Sequence, residues 1–407
     1  MKVRIIALCI LISCGSVLKS QVHSDFEKYA ARQDSLMIKA YENRDTVAYN
    51  TALNPFMVKY TALDDKSRKM YQANLLNDYY NFACLYSILG DKSKAIKYLE
   101  KSRYSDYKHL LTDPDLENIR NESRFKTCLK YAKSCSLAYL NTLKKAAKYN
   151  DQDNRIEVNF TYQSSDNADL KKLRETYNLD SIAGTGNEVS RLLNVLHWVH
   201  YLIPHDGNIP NPKVMNAMSM IQVCHDEKRG LNCWGLSVVL NECYLSLGYK
   251  SRYVRCLPKD STDMDCHVIV TAYSTTQKKW LWLDPTFNAY VMNQKGELLS
   301  IQEVRERLVE GKPLILTPEA NWNRKFTEEK DDYLYNYMAK NLYILESPIN
   351  SEYEYETYAK GKTIKYLYLC PLDYKGNKQH ESKITRKSFV YESSATTNPT
   401  IFWAKPE

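Results

Sequence analysis

The chain has 407 residues, enough for two or three separate cores, with an ordinary globular balance of 44% hydrophobic and 26% charged residues. Its formal charge of +8 is scattered, with no basic stripe interleaved with aromatics, and this argues against a nucleic-acid-binding surface. Beyond the first 20 residues no stretch is long and apolar enough for a transmembrane helix, and the 11 cysteines lack the spacing of a disulfide framework.

The N-terminus, "MKVRIIALCILISCGSVLKSQ", places two early cations before an apolar run from Ile5 to Ile12 and then small and polar residues. This is the layout of an export signal over residues 1–20. Two endings compete. "LISC" (Leu11–Cys14) resembles a bacterial lipobox, which would make Cys14 a lipid anchor and the chain's one link to a membrane; cleavage after Ser20 would instead leave a periplasmic or secreted protein. Residues 22–148 carry apolar groups at helical spacing and almost no alternation, so an all-α domain is expected. Within it "YYNFACLYSILGDKSKAIKYLEKS" (Tyr79–Ser102) reads as two amphipathic helices broken at Gly90-Asp91, with Ala83 and Ala95 at the close contact. The stretch resembles a tetratricopeptide helix pair, an architecture that works by stacking. The flanking helices match it poorly, so the domain reads either as a packing or spacer unit or as a groove for a protein partner.

A polar break at Tyr149–Asn154 marks the next boundary, and a second domain is expected over 151–345, with its core at 185–295. "RIEVNFTYQ" alternates like a strand, and Asn187–Ile203 is an amphipathic helix stopped by Pro204. On that helix His197, Trp198 and His200 read as core or rim residues, while His205, in the Pro-bounded loop that follows, is placed to line a cleft. The next helix runs from Cys233 to Leu247, with Asn232 as N-cap and Gly248 at the C-terminal cap. Cys233 therefore sits in a first turn, where unpaired N–H groups and the helix dipole favour a thiolate.

Downstream, "CHVIVTAYSTTQKKWLWLDPTFN" (Cys266–Asn288) reads as a β-hairpin. A two-residue turn at Thr275-Thr276 sets His267 directly opposite Asp284. A four-residue connection, with Ser274 facing Lys279, keeps the two on one face as diagonal neighbours. Only an odd shift of register separates them. An imidazole beside a carboxylate is the pair that a nucleophilic thiol needs as base and orienter. After Ala320 the chain becomes Tyr-rich, and "TIKYLYLCPLDY" and "SFVYES" suggest a small C-terminal β extension over 346–407.

Taken in order, "GLNCWGLSVVLNECYLSLGYKSRYV", "CHVIV" and "WLWLDPTFN" resemble the transglutaminase-like superfamily of papain-type thiol enzymes over residues 185–295. The resemblance implies an α+β core in which a Cys-bearing helix packs on an antiparallel sheet bearing His and Asp. It implies a catalytic triad of Cys233, His267 and Asp284 that attacks a carboxamide or peptide carbonyl, with the acyl-enzyme resolved by water or by an amine. The backbone N–H of Cys233 would be one oxyanion donor; Gln222, Asn232 and Trp198 are alternatives for the second. On this reading the chain is an exported peptidase, amidase or acyltransferase that takes a protein or peptide substrate. The competing reading is a catalytically idle binding scaffold working with the helical region. No cofactor is expected, and neither Cys224-His225 nor Cys266-His267 has the spacing of a zinc site.

Overall fold

The computed structural model describes residues 20–207, 209–261, 263, 265–374, 382–386 and 389–407, so the export-signal reading, Cys14 included, falls outside the described residues save for Ser20. The chain forms two compact units, one up to Ala138 and a second built from residues 139–261 and 265–407.

The first unit is helical. Asp45, Asp64 and Asp91 each accept backbone N–H groups of the helix they begin, and so start Thr46–Thr61, Asp65–Ile88 and Lys92–Ser102. Between the last two helices Gly90 takes φ +82°, a left-handed turn that suits glycine. Ala83 and Ala95 are fully buried. An aromatic core follows from the Tyr- and Phe-rich helix faces: Phe26, Tyr49, Phe56 and Phe82 are buried, and the Tyr49 and Phe82 rings stack at 4.5 Å.

The second unit is built on a seven-stranded sheet. Its strands are β1 (Ser251–Leu257), β2 (His267–Ser274), β3 (Lys279–Leu283), β4 (Ile344–Pro348), β5 (Thr363–Leu369), β6 (Ser382–Arg386) and β7 (Phe389–Thr396). They lie in the order β6-β7-β5-β4-β1-β2-β3. Strand side chains alternate between faces, and both faces are covered. Val268, Val270, Ala272, Leu281 and Leu283 share a core with Leu236, Val239 and Leu240 of the helix Cys233–Ser246. Ile269, Trp282 and Val254 pack on the other face with Val304 and Leu308 of the helix Ile301–Glu310 and with Tyr333 and Leu334.

Three expectations change here. The sheet is mixed rather than antiparallel throughout, because β7 turns back from β6 and runs parallel to β5. The C-terminal strands are not a separate extension: β4 pairs with β1 through Arg255↔Glu346 and Cys256↔Leu345, and carries β5 to β7 into the same sheet. Of "RIEVNFTYQ" only Thr161–Tyr162 is a strand, because its partner Asn350–Ser351 offers just two residues to pair with. The nine cysteines among the described residues are all free thiols.

Candidate active site

Cys233 opens its helix because the preceding loop is held in place by side-chain amides. Asn232 has extended backbone and its Oδ1 accepts from the Gly235 N–H at 3.1 Å. Asn211 supports that cap, donating to the same oxygen at 2.8 Å and accepting from the Asn232 N–H at 3.3 Å. Gly235 leaves room for this contact, since a Cβ there would lie 2.6 Å from Asn211 Oδ1 and force that amide to move. One turn further, the buried Ser237 hydroxyl donates to the Val268 carbonyl at 2.9 Å and ties the helix to β2 directly beside His267. The thiol itself is partly exposed.

In the β2–β3 hairpin Ser274 faces Lys279, which is the four-residue connection and not the two-residue turn. Lys278 adopts φ +54° to close it. Glu188 pins the turn, accepting from the Thr275 and Thr276 N–H groups at 2.9 and 3.0 Å and from the Ser274 hydroxyl at 2.6 Å. In this register His267 and Asp284 are diagonal neighbours on one face, and His267 Nε2 lies 2.7 Å from Asp284 Oδ2.

The pair is buried, at 1% and 0% exposure, so its partners decide its chemistry. Asp284 Oδ1 accepts from the Thr286 N–H at 2.9 Å, and Oδ2 accepts from the Tyr333 hydroxyl at 2.5 Å in addition to His267. Burial alone would lower the His267 pKa. The charge of Asp284 and its hydrogen bond, then the hydrogen bond and charge of Cys233, outweigh that and raise it to about 10. Nε2 is committed to Asp284, so Nδ1 is the nitrogen left for the thiol. The Tyr337 hydroxyl lies 3.3 Å from the same Nδ1, and Phe287 and Tyr337 box the ring at centroid distances of 5.5 and 5.2 Å. The arrangement is a partly exposed thiol at a helix N-terminus beside a buried imidazole–carboxylate pair. It can hold a thiolate–imidazolium couple and move one proton between Sγ and Nδ1.

The remaining singled-out residues are distributed differently. His200 is buried and bridges the Pro285 carbonyl (3.0 Å) and Asn321 Oδ1 (2.9 Å), which fixes the segment just after Asp284. Trp198 packs against Tyr177 at 5.8 Å, and the Gln222 amide is held by Asp226 at 2.9 Å. Cys224 is buried, whereas His225 is exposed and bonded to Asp226, so the two point apart. The residues that sequence reasoning missed are Tyr333, Tyr337 and Asn211. The two tyrosines stand four apart on the π-helical segment Asp331–Met338, a spacing that puts both on one side. That spacing was the one available signal, and 33 tyrosines in the chain obscured it. No family model, curated protein or solved structure matches the chain.

Proposed function

We propose that the protein is a thiol-dependent acyl-transfer enzyme of transglutaminase-like type, acting on a carboxamide or peptide carbonyl. The observation that carries this reading is the partly exposed Cys233 thiol beside a buried His267 whose far nitrogen is bonded to Asp284. A structural cysteine needs neither a helix N-terminus nor such a partner.

In the reaction, the Cys233 thiol gives its proton to His267 Nδ1 and the thiolate sulfur bonds to the carbonyl carbon, moving the π pair onto oxygen. Collapse of the tetrahedral species breaks the C–N bond, and the departing nitrogen takes the proton back from His267. Water or an amine then attacks the thioester, loses its proton to His267, and releases the thiol. Asp284 orients the ring through Nε2 and steadies the imidazolium. Hydrolysis is the favoured outcome because water is the default acceptor. The backbone N–H of Cys233, in the first helical turn, is one donor for the oxyanion.

Iodoacetamide near neutral pH tests the reading. Cys233 should be alkylated at least ~10-fold faster than the other thiols, and His267→Ala should remove the preference. Equal, slow labelling of all cysteines would exclude a thiol enzyme. Products in cells carrying the parent chain or Cys233→Ala, compared by proteomics, would identify the substrate. An adaptor would leave both sets alike.

A further inference from the structure

The thiol chemistry needs a second donor for the oxyanion, and the side chains expected for it have other contacts. Gln222 is bonded to Asp226, Trp198 packs on Tyr177, and Asn232 turns its oxygen into the helix start. The loop residue His205 is built differently. Its backbone runs beside the segment that leads into Cys233: Leu231 N–H donates to the Pro204 carbonyl at 3.1 Å, and Asp206 N–H donates to the Leu231 carbonyl at 2.8 Å. The two segments come this close because position 230 is glycine, where a Cβ would lie 2.3 Å from the Pro204 oxygen. Asn323 clamps His205 from the other side, accepting from its N–H at 2.6 Å and donating to its carbonyl at 2.8 Å.

The ring is fixed as firmly as the backbone. The indole N–H of Trp322 donates to His205 Nδ1 at 3.2 Å. A nitrogen that accepts cannot carry the proton, so the neutral ring holds its hydrogen on Nε2. Nε2 has no acceptor among the described residues. Burial, then the charge of His267, lower the His205 pKa to about 4, against the opposing pull of Asp284 and Asp265, with His200 adding a smaller push downward. The ring therefore stands on backbone bridged to Leu231, two residues before Cys233, and it is neutral and held in the tautomer that donates.

We propose that His205 is a catalytic residue, its Nε2–H donating to the carbonyl oxygen as Cys233 attacks. The step leaves the atom balance unchanged: sulfur bonds to carbon, the π pair moves to oxygen, and His205 donates a hydrogen bond without releasing its proton. Binding an oxyanion rather than the planar carbonyl is what makes such a donor accelerate the reaction.

This inference rests on the thiol-enzyme reading, and the test separates the two. The probes are p-nitrophenyl acetate, which acylates the thiol through an oxyanion, and methyl methanethiosulfonate, which reacts with the same thiolate but has no carbonyl. For His205→Phe, acylation should slow by about 10²–10³ while the thiosulfonate rate stays within about threefold of the parent. His205→Gln, which keeps an N–H donor, should recover part of the loss. Trp322→Phe, which keeps the histidine and frees its tautomer, should slow acylation by roughly tenfold, and it serves if His205→Phe fails to fold. Acylation within threefold of the parent in His205→Phe, or equal slowing of both probes, would overturn the assignment. A parent chain whose Cys233 does not react with the ester would sink the thiol-enzyme reading, and this one with it.

Discussion

The two units bury aspartates in opposite ways. In the sheet unit Asp284 is fully buried and receives His267, Tyr333 and the Thr286 N–H. In the helical unit Asp34 and Asp78 lie near each other, and one oxygen of each is buried with no hydrogen-bond partner. Burial raises the Asp34 pKa to about 6; burial, then the charge of Asp34, raises that of Asp78 well above the carboxylate range. A buried carboxyl short of donors is pushed toward its protonated form, whereas donors to the carboxylate favour the charged one. Donor supply, not depth, separates a carboxylate that can hold a buried partner from one that costs stability.

The sharpest way to break this comparison is at the partner of Asp284. His267→Ala should reduce acylation of Cys233 by p-nitrophenyl acetate by about 10²–10⁴, because the thiol loses its base. A rate within a few-fold of the parent would show that Asp284 orients nothing of use. Next in size, Asp284→Ala should lower unfolding stability in urea by about 3–5 kcal/mol, since it strands a buried imidazole and the Tyr333 hydroxyl. No change in the urea midpoint would mean that the partners do not depend on the charge.

Asp78→Asn should do the reverse and stabilise the helical unit by about 1–3 kcal/mol at pH 8, where the parent must hold a carboxylate with one oxygen unsupplied or carry a proton. The pH windows follow with opposite chemistry. Asp34 and Asp78 have raised folded pKa values, so the native state binds more protons and stability falls as pH rises from about 4 toward 6 and beyond. His267 is also raised, to about 10, but as a cation; its contribution is complete below its unfolded pKa near 6.5 and is lost as pH rises through about 10. Thermal melts of the parent and Asp78→Asn between pH 4 and 8 should converge at the acid end. Parallel curves would remove the carboxyl pair from the explanation.

The smallest expected effect is at Glu188, a donor-supplied carboxylate near the surface. Its burial opposes ionisation, yet the hydrogen bonds from Ser274, Thr276 and Thr275 lower its pKa to about 2. Its stabilisation is therefore present above about pH 4.5 and lost as pH falls toward 2. Glu188→Gln should cost roughly 0.5–1 kcal/mol in the same urea assay after allowance for solvent screening. A cost as large as that of Asp284→Ala would mean that burial adds little to the value of a well-supplied carboxylate.

Much of the local geometry was legible in the sequence. Asn232 and Gly248 bracket a helix that runs from Cys233 to Ser246, and hairpin parity puts His267 and Asp284 on one face whichever even register forms. These features follow from local spacing, which a single chain segment carries in full. Which register forms was not legible, because Glu188 lies 86 residues from Ser274 and chooses the longer turn by bonding it.

The sequence by itself determined the helix start that bears the thiol and the shared face of the imidazole and carboxylate, since capping and alternation are short-range. Only the tertiary structure decided what surrounds them. Tyr333 meets Asp284 from 49 residues away, Trp322 meets His205 from 117, and β4 meets β1 from 91 at Arg255 and Glu346. Contacts at such separations depend on how layers pack around the sheet, and no local pattern in the chain encodes them.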